Sequence, residues 1–269
     1  MSQETRLLLW DHPTSTYAQK VRMSLREKGI PFDSKRPEGV GSGNAVPDLE
    51  VGNPRLEVPT LVDGDFALFD SSVILTYLEE KYPDKSLLPQ DPKARATARM
   101  IEEICDTVYE AINWVASEIM WSERATGELA DKLLAQVKHQ TKVIHDWLAE
   151  KLGGHEYFNG DSFGYADVCV APVLNRSVYY GFGPAEGTPL QAWYVRIKDR
   201  PSVKPTFAEM VEGAKTMSST MKQAFTEGPY KRQYRDHRLE AMIKSGGIEV
   251  VLEGLKRGNV RFGWPPAAP

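Results

Sequence analysis

Three short segments in the first third of the chain combine residue types suited to capturing a small polar ligand. Thr14-Ser15-Thr16 falls between an apolar run, Leu7-Leu8-Leu9-Trp10, and a helical pattern opening near Tyr17. A hydroxyl at a helix start sits where backbone N–H groups are unpaired and the helix dipole favours negative charge. The same residues also serve as plain N-caps. Val58-Pro59 stands just before the strand-like Thr60-Leu61-Val62. Proline lacks an N–H and is confined to strand starts and edges. A cis bond here would free the N–H and C=O of Val58 to pair with an extended ligand; a trans bond would simply open the strand. Asp70-Ser71 opens a helix carrying Ile74, Tyr77 and Leu78. Free N–H groups at its start bind a carboxylate, and the Asp can hold an ammonium. Such a site would grip both ends of an α-amino acid.

These segments must be positioned by a small α/β unit. Leu7–Trp10 is strand-like, and Ala18, Val21 and Leu25 give a helical face that stops at Gly29 before Pro31. Arg36 to Gly52 is polar and Gly-rich and is predicted to be loop. Thr60-Leu61-Val62 and Phe66-Ala67-Leu68-Phe69 flank Asp63-Gly64-Asp65, a hairpin signal, and Ser71 to Lys81 is a helix ending before Pro83. The predicted order is strand, helix, loop, two strands, helix. Beyond Pro83 the strand patterns stop. Ile101, Ile104, Cys105, Val108, Ile112, Val115 and Ile119 recur at helical spacing, as do Leu133, Val137, Ile144, Leu148 and Leu152. The expected fold is α/β plus all-α, with units at 1–84 and 90–227 and an extension at 228–269.

Composition narrows the function. With 33 Lys+Arg against 37 Asp+Glu the net charge is −4, which argues against nucleic acid. Two cysteines make neither a disulfide framework nor a zinc site, and no metal is expected. No apolar run is long enough for a bilayer and the N-terminus lacks a secretory signal, so a cytoplasmic protein is expected. From Pro229 onward eight Lys/Arg face four Asp/Glu, net +4, leaving −8 on the rest. The extension is therefore expected to dock on the acidic body through apolar anchors such as Ile248, Val250, Val251 and Phe262. Gly160-Asp161-Ser162-Phe163-Gly164 fits a hydrolase nucleophile elbow, but that turn needs a parallel sheet beneath it and this segment lies among helices.

The spacing of the three segments resembles the glutathione S-transferase superfamily. Asn53-Pro54-Arg55-Leu56-Glu57-Val58-Pro59-Thr60-Leu61 is similar to its N-P-x-x-x-V-P-x-L segment. Asp70-Ser71 through Tyr82-Pro83 is similar to its [E/Q/D]-S-x-x-I-x-x-Y-L-x-x-x-Y-P helix. Ser15-Thr16-Tyr17-Ala18-Gln19-Lys20-Val21-Arg22 resembles its S/C-x-x-x-x-[K/R]-x-R turn, and Gly160-Asp161 through Ala166-Asp167 its second-domain helix start. The likeness covers about residues 6 to 210.

The resemblance implies a thioredoxin-like N-terminal domain followed by an all-helical domain, with glutathione in the cleft and a homodimer as the default assembly. It implies that Ser15 donates to the glutathione thiolate. Val58, preceding a cis Pro59, would pair with the cysteinyl backbone, Asp70 and Ser71 would hold the γ-glutamyl end, and Asn44 the glycine end. Tyr109, Trp114 and Tyr179 are candidate lining for a small apolar electrophile or olefin. The reaction would be glutathione transfer, or cis–trans isomerisation by reversible thiol addition to a conjugated double bond; a non-catalytic glutathione-binding or interaction module is the third possibility. Two departures stand out. Gly164 replaces the usual Ser or Thr N-cap, and Tyr179 stands where zeta-class maleylacetoacetate isomerases, to which there is some likeness, place an Arg, with Arg176 one turn earlier.

Overall fold

A computed structural model describes residues 6–39, 46–50, 52–226 and 237–258. Strand β1 (Leu7–Trp10) leads into α1 (Thr16–Lys28), then β2 (Phe32–Lys35), a single turn α2 (Pro47–Glu50), β3 (Thr60–Asp63), β4 (Phe66–Phe69) and α3 (Ser71–Lys81). The sheet order is β2-β1-β3-β4, with β2 parallel to β1 and the other pairs antiparallel. Helix α1 stops where Gly29 takes up left-handed backbone, φ 60°, a conformation that carries no steric penalty only for glycine. The expected hairpin is present. β2 is an addition to the predicted elements: Phe-Asp-Ser-Lys has one apolar residue and an exposed outer edge, so no alternation marks it.

From α4 (Pro92–Ile104) onward every described element is helical: α5 (Glu110–Met120), α6 (Gly127–Leu152), α7 (Tyr165–Tyr179), α8 (Pro189–Ile197), α9 (Val203–Thr226), α10 (His237–Lys244) and α11 (Ile248–Lys256). The apolar pattern from Ile101 to Ile119 is split by a π-turn at Cys105–Tyr109 joining α4 to α5. Its wider turn lets both Cys105 and Tyr109 point inward. Helix α7 is the axis of this half: every residue from Tyr165 to Ser177 is buried. Asp167 secures its start, accepting from Gly164 N (2.9 Å), Phe158 N (3.0 Å) and Trp193 Nε1 (2.7 Å). Burial pushes the Asp167 carboxyl up to about 6, against those hydrogen bonds.

The two halves are joined rather than merely tethered. Met23 of α1 and Leu75 of α3 belong to the core of the helical half, and α1 packs more extensively on α7 than on any other helix. The extension departs from expectation. Val250 is 65% exposed and Leu252 48%, so of the expected anchors only Ile248 and Val251 are half-buried. Phe262 lies outside the described residues.

Candidate functional site

Sheet register assembles the site. Thr60, the first residue of β3, pairs with Trp10, the last of β1, and with Phe69, the last of β4. The turn leading to Ser15, the Val58-Pro59 bond and Asp70-Ser71 therefore leave the sheet at one end. Residues far apart in the sequence become neighbours because three strands are in register.

At the first segment, Ser15 is the N-cap of α1, its Oγ accepting from Ala18 N at 3.3 Å. Capping uses a lone pair and leaves the O–H proton available. The flanking hydroxyls are both buried. That of Thr14 lies 2.9 Å from His12 Nδ1 and 3.0 Å from Met217 Sδ. Ser15 is only half-buried. Cap and donor are thus compatible roles for one side chain.

The second segment has a cis Val58-Pro59 bond. Asn53, fully buried, holds the preceding loop by donating to Glu57 O (2.7 Å) and Thr60 Oγ1 (2.6 Å) while accepting from Arg55 N (3.0 Å). Among the described residues, neither the N–H nor the C=O of Val58 has a hydrogen-bond partner. The third segment is the start of α3. Asp70 Oδ1 accepts from Ser72 N (3.0 Å) and Val73 N (3.3 Å). This leaves Asp70 Oδ2 and the Ser71 N–H without partners among the described residues. Asp70 has φ 72°, the positive region that costs a non-glycine residue of order 1–3 kcal/mol and clusters at ligand sites. Unspent groups at all three segments suit an extended peptide with a zwitterionic end.

Beneath these groups lies a buried ionic cluster. Lys20 Nζ donates to Glu102 Oε1 (2.8 Å), Asp106 Oδ2 (2.5 Å) and Ser72 Oγ (3.3 Å). Burial pulls the Lys20 pKa down, but Asp106 and Glu102 push it further up, so the ammonium is retained. Tyr17 OH donates to Asp106 O (2.7 Å). Lysine 20 thus ties α1 and α3, which carry Ser15 and Asp70, to the π-turn. Sequence reading did not assign it a role, although it is the [K/R] of the quoted turn.

Asn44 lies outside the described residues. Tyr109 is corrected: it is fully buried, with its hydroxyl 2.5 Å from His145 Nε2, so it packs in the helical core instead of lining a cleft. Trp114 is half-buried and Tyr179 is exposed. Tyr179 meets Trp121 and Tyr180 edge-on at 6.2 and 5.9 Å. Arg176, the neighbour of the missing zeta-class Arg, is buried; its guanidinium lies 4.9 Å over Trp121 and donates to Thr14 O. Ser162 is exposed in the α6–α7 loop with no strand beside it, so no elbow forms. No cluster among the described residues has the make-up of a metal site, and no described helix is long and apolar enough to cross a membrane.

A thioredoxin-like sheet unit followed by helices, with a serine at the first helix start and a cis-proline opposite, defines the class of protein. The glutathione S-transferase N-terminal domain model matches residues 9–86 and the C-terminal domain model residues 109–201. The chain belongs to the glutathione S-transferase superfamily. It is 34% identical to glutathione S-transferase 1 of Dianthus caryophyllus over 68% of this chain and 81% of that protein. It is 28% identical to a stringent starvation protein A homolog of Haemophilus ducreyi over 77% of this chain and 90% of that protein. The Tau class glutathione S-transferase of mango, Mangifera indica, superposes with TM-score 0.68 at 25% identity, covering 81% of this chain and 99% of the other. A rice enzyme solved with glutathione gives TM-score 0.66 at 26% identity, covering 82% and 100%.

Proposed function

We propose that the chain is a glutathione transferase that binds glutathione at this site and activates its thiol for attack on a small apolar electrophile. The carrying observation is Ser15: among the three adjacent hydroxyls it alone is half-exposed, and its proton has no acceptor among the described residues. Glutathione supplies the nucleophilic sulfur. Val58 offers backbone donor and acceptor to its peptide, the Ser71 N–H takes its α-carboxylate, and Asp70 Oδ2 takes its ammonium. Ser15 Oγ–H donates to the sulfur and favours thiolate over thiol. A hydrogen bond to a charged group contributes about 1.5–3 kcal/mol, or about 1–2 pKa units from an ordinary thiol near 8.5. Trp114 and Tyr179 offer apolar surface to the electrophile. On this reading the chain divides near 84 and 90, with the cleft between its two domains.

A homodimer in the cytoplasm completes this reading. An apolar groove of about 420 Å³ between β4 and α3, with Phe66 and Val73 each about half exposed, suits a second copy. Phe66→Asp is expected to shift the sedimentation coefficient from dimer to monomer.

A binding module without turnover is the second reading, favoured by relatives that carry the stringent starvation protein A name at similar identity. Incubating the protein with glutathione and panels of electrophiles and conjugated olefins separates the readings. Adducts with glutathione consumed mark a transferase, and isomerised olefin at constant glutathione marks an isomerase. Stabilisation by glutathione without any product marks the module.

A further inference from the structure

We propose that Arg176 of α7 and Gly213 of α9, both in the helical half, are positioning residues that set the Ser15 hydroxyl. The proposal rests on the reading of Ser15 given above. The turn from Asp11 to Ser15 has too few hydrogen bonds of its own to fix its shape: within it, the backbone closes a single bond, Ser15 N to His12 O at 2.9 Å. The His12 ring adds contacts to Thr14 N (3.3 Å) and Thr14 Oγ1 (2.9 Å), and further restraint comes from outside. Arg22 of α1 pairs with Asp11 (2.8 Å) and donates to Pro13 O (3.1 Å). The next carbonyl, Thr14 O, accepts from Arg176, and this is the residue immediately before Ser15.

Arg176 is itself held in place. It is 5% exposed and stacked 4.9 Å over Trp121, and it attracts the buried Glu110 carboxylate of α5, whose pKa burial raises against that pull. A planar cation fixed by an aromatic face presents its N–H groups in one direction. From the other side, α9 presses directly on the turn. A Cβ at Gly213 would lie 2.8 Å from Pro13 Cγ, 3.1 Å from Pro13 Cβ and 3.2 Å from Thr14 Cγ2. The proline ring cannot swing aside as a flexible chain end would, so only glycine allows this approach. Four residues further on, Met217 Sδ meets the Thr14 hydroxyl. The turn is thus clamped between α7 and α9, and Ser15 Oγ inherits its position from both. Displacements of about 1 Å at reacting groups cost up to about 100-fold in rate.

The test uses the full chain with glutathione and chlorodinitrobenzene, in wild type, Gly213→Ala, Arg176→Met, Arg176→Lys and Ser15→Ala. Alanine is the better helix former, so Gly213→Ala retains α9 while displacing the turn, and it stands independently if Arg176→Met fails to fold. In folded variants, kcat is expected to fall roughly 10- to 100-fold with KM for glutathione unchanged. The pKa of the bound thiol, read from thiolate absorbance, should rise towards its value in Ser15→Ala. Arg176→Lys should recover part of the loss. Adding Ser15→Ala to Gly213→Ala should cost almost nothing further, because both act on one hydroxyl. Wild-type kcat and thiol pKa in Gly213→Ala would overturn the proposal, as would fully additive losses in the double variant. Ser15→Ala with unchanged thiol pKa would overturn the Ser15 reading as well, and so identifies which of the two inferences has failed.

Discussion

At the scale of single residues the candidate site is built from groups left over after structural needs are met. Ser15 spends a lone pair on capping and keeps its proton; Asp70 spends Oδ1 and keeps Oδ2. Ser15→Ala should therefore leave glutathione affinity nearly intact while turnover drops about 10- to 150-fold, the loss of one charged hydrogen bond. The bound-thiol pKa should rise by about 1–2 units in the same variant. Glutathione should raise the Tm of the wild type, as any ligand of the native state does. Asp70→Ala should strongly reduce that rise by unpairing the ammonium; equal stabilisation would remove Asp70 from the site. The placement of Ser15, Val58, Asp70 and Ser71 at element ends was legible because the neighbours of each mark a strand or helix terminus. Tyr109 was misjudged because aromatic residues at helical spacing look alike whether they face a cleft or a core; its burial depends on the partner His145, 36 residues away.

At the scale of elements, sequence reading found the strands and helices that alternate or repeat, and missed those that do not. β2 is a polar edge strand with nothing to alternate. The π-turn left the apolar spacing nearly helical, so the boundary between α4 and α5 could not be seen. Gly164 is more instructive. As an N-cap it supplies no side-chain oxygen, and exchange for Ser at such a position ordinarily gains a few tenths of a kcal/mol. Here a Cβ would lie 2.6 Å from Asn159 Cγ and 2.7 Å from its Cβ. Gly164→Ser should therefore destabilise, by about 1–3 kcal/mol as for other overpacked sites. Pairing it with Asn159→Gly, which removes both clashing atoms, should recover most of the loss in denaturant titrations. At the C-terminal end of α4, Lys20→Met in α1 should cost about 3–5 kcal/mol, since it strands Glu102 and Asp106 without their buried cation.

For the whole molecule, the buried titratable groups set a pH window. Burial lowers His12 to about 3, with Arg36, Arg176 and Arg22 adding to it, and lowers His145 to about 4. An unfolded histidine titrates near 6.5. Both rings therefore contribute stability that is fully present above pH 6.5 and is lost as pH falls through their folded values. Asp167, raised to about 6, works the opposite way: its contribution is present below about pH 4 and lost as pH rises through 6. The two histidines therefore make the unfolding free energy decline from pH 6.5 to 4, and the Asp167, Glu110 and Asp106 carboxyls, all raised by burial, oppose that decline. His145→Gln should make that decline shallower by roughly 1.4 kcal/mol per pH unit, measured by denaturant titration at each pH.

The shared core of α1 and α7 also has a consequence for synthesis. Met23 and the Lys20 ammonium lie against helical-half residues that emerge from the ribosome after them, and Arg176 follows Ser15 by 161 positions. At roughly 5–20 residues per second, α1 waits on the order of 10–30 s for α7. During that interval its inner face is open to chaperones and proteases. Nascent chains stalled before α7 should have a protease-sensitive N-terminal unit, and chains stalled well past α9 a resistant one.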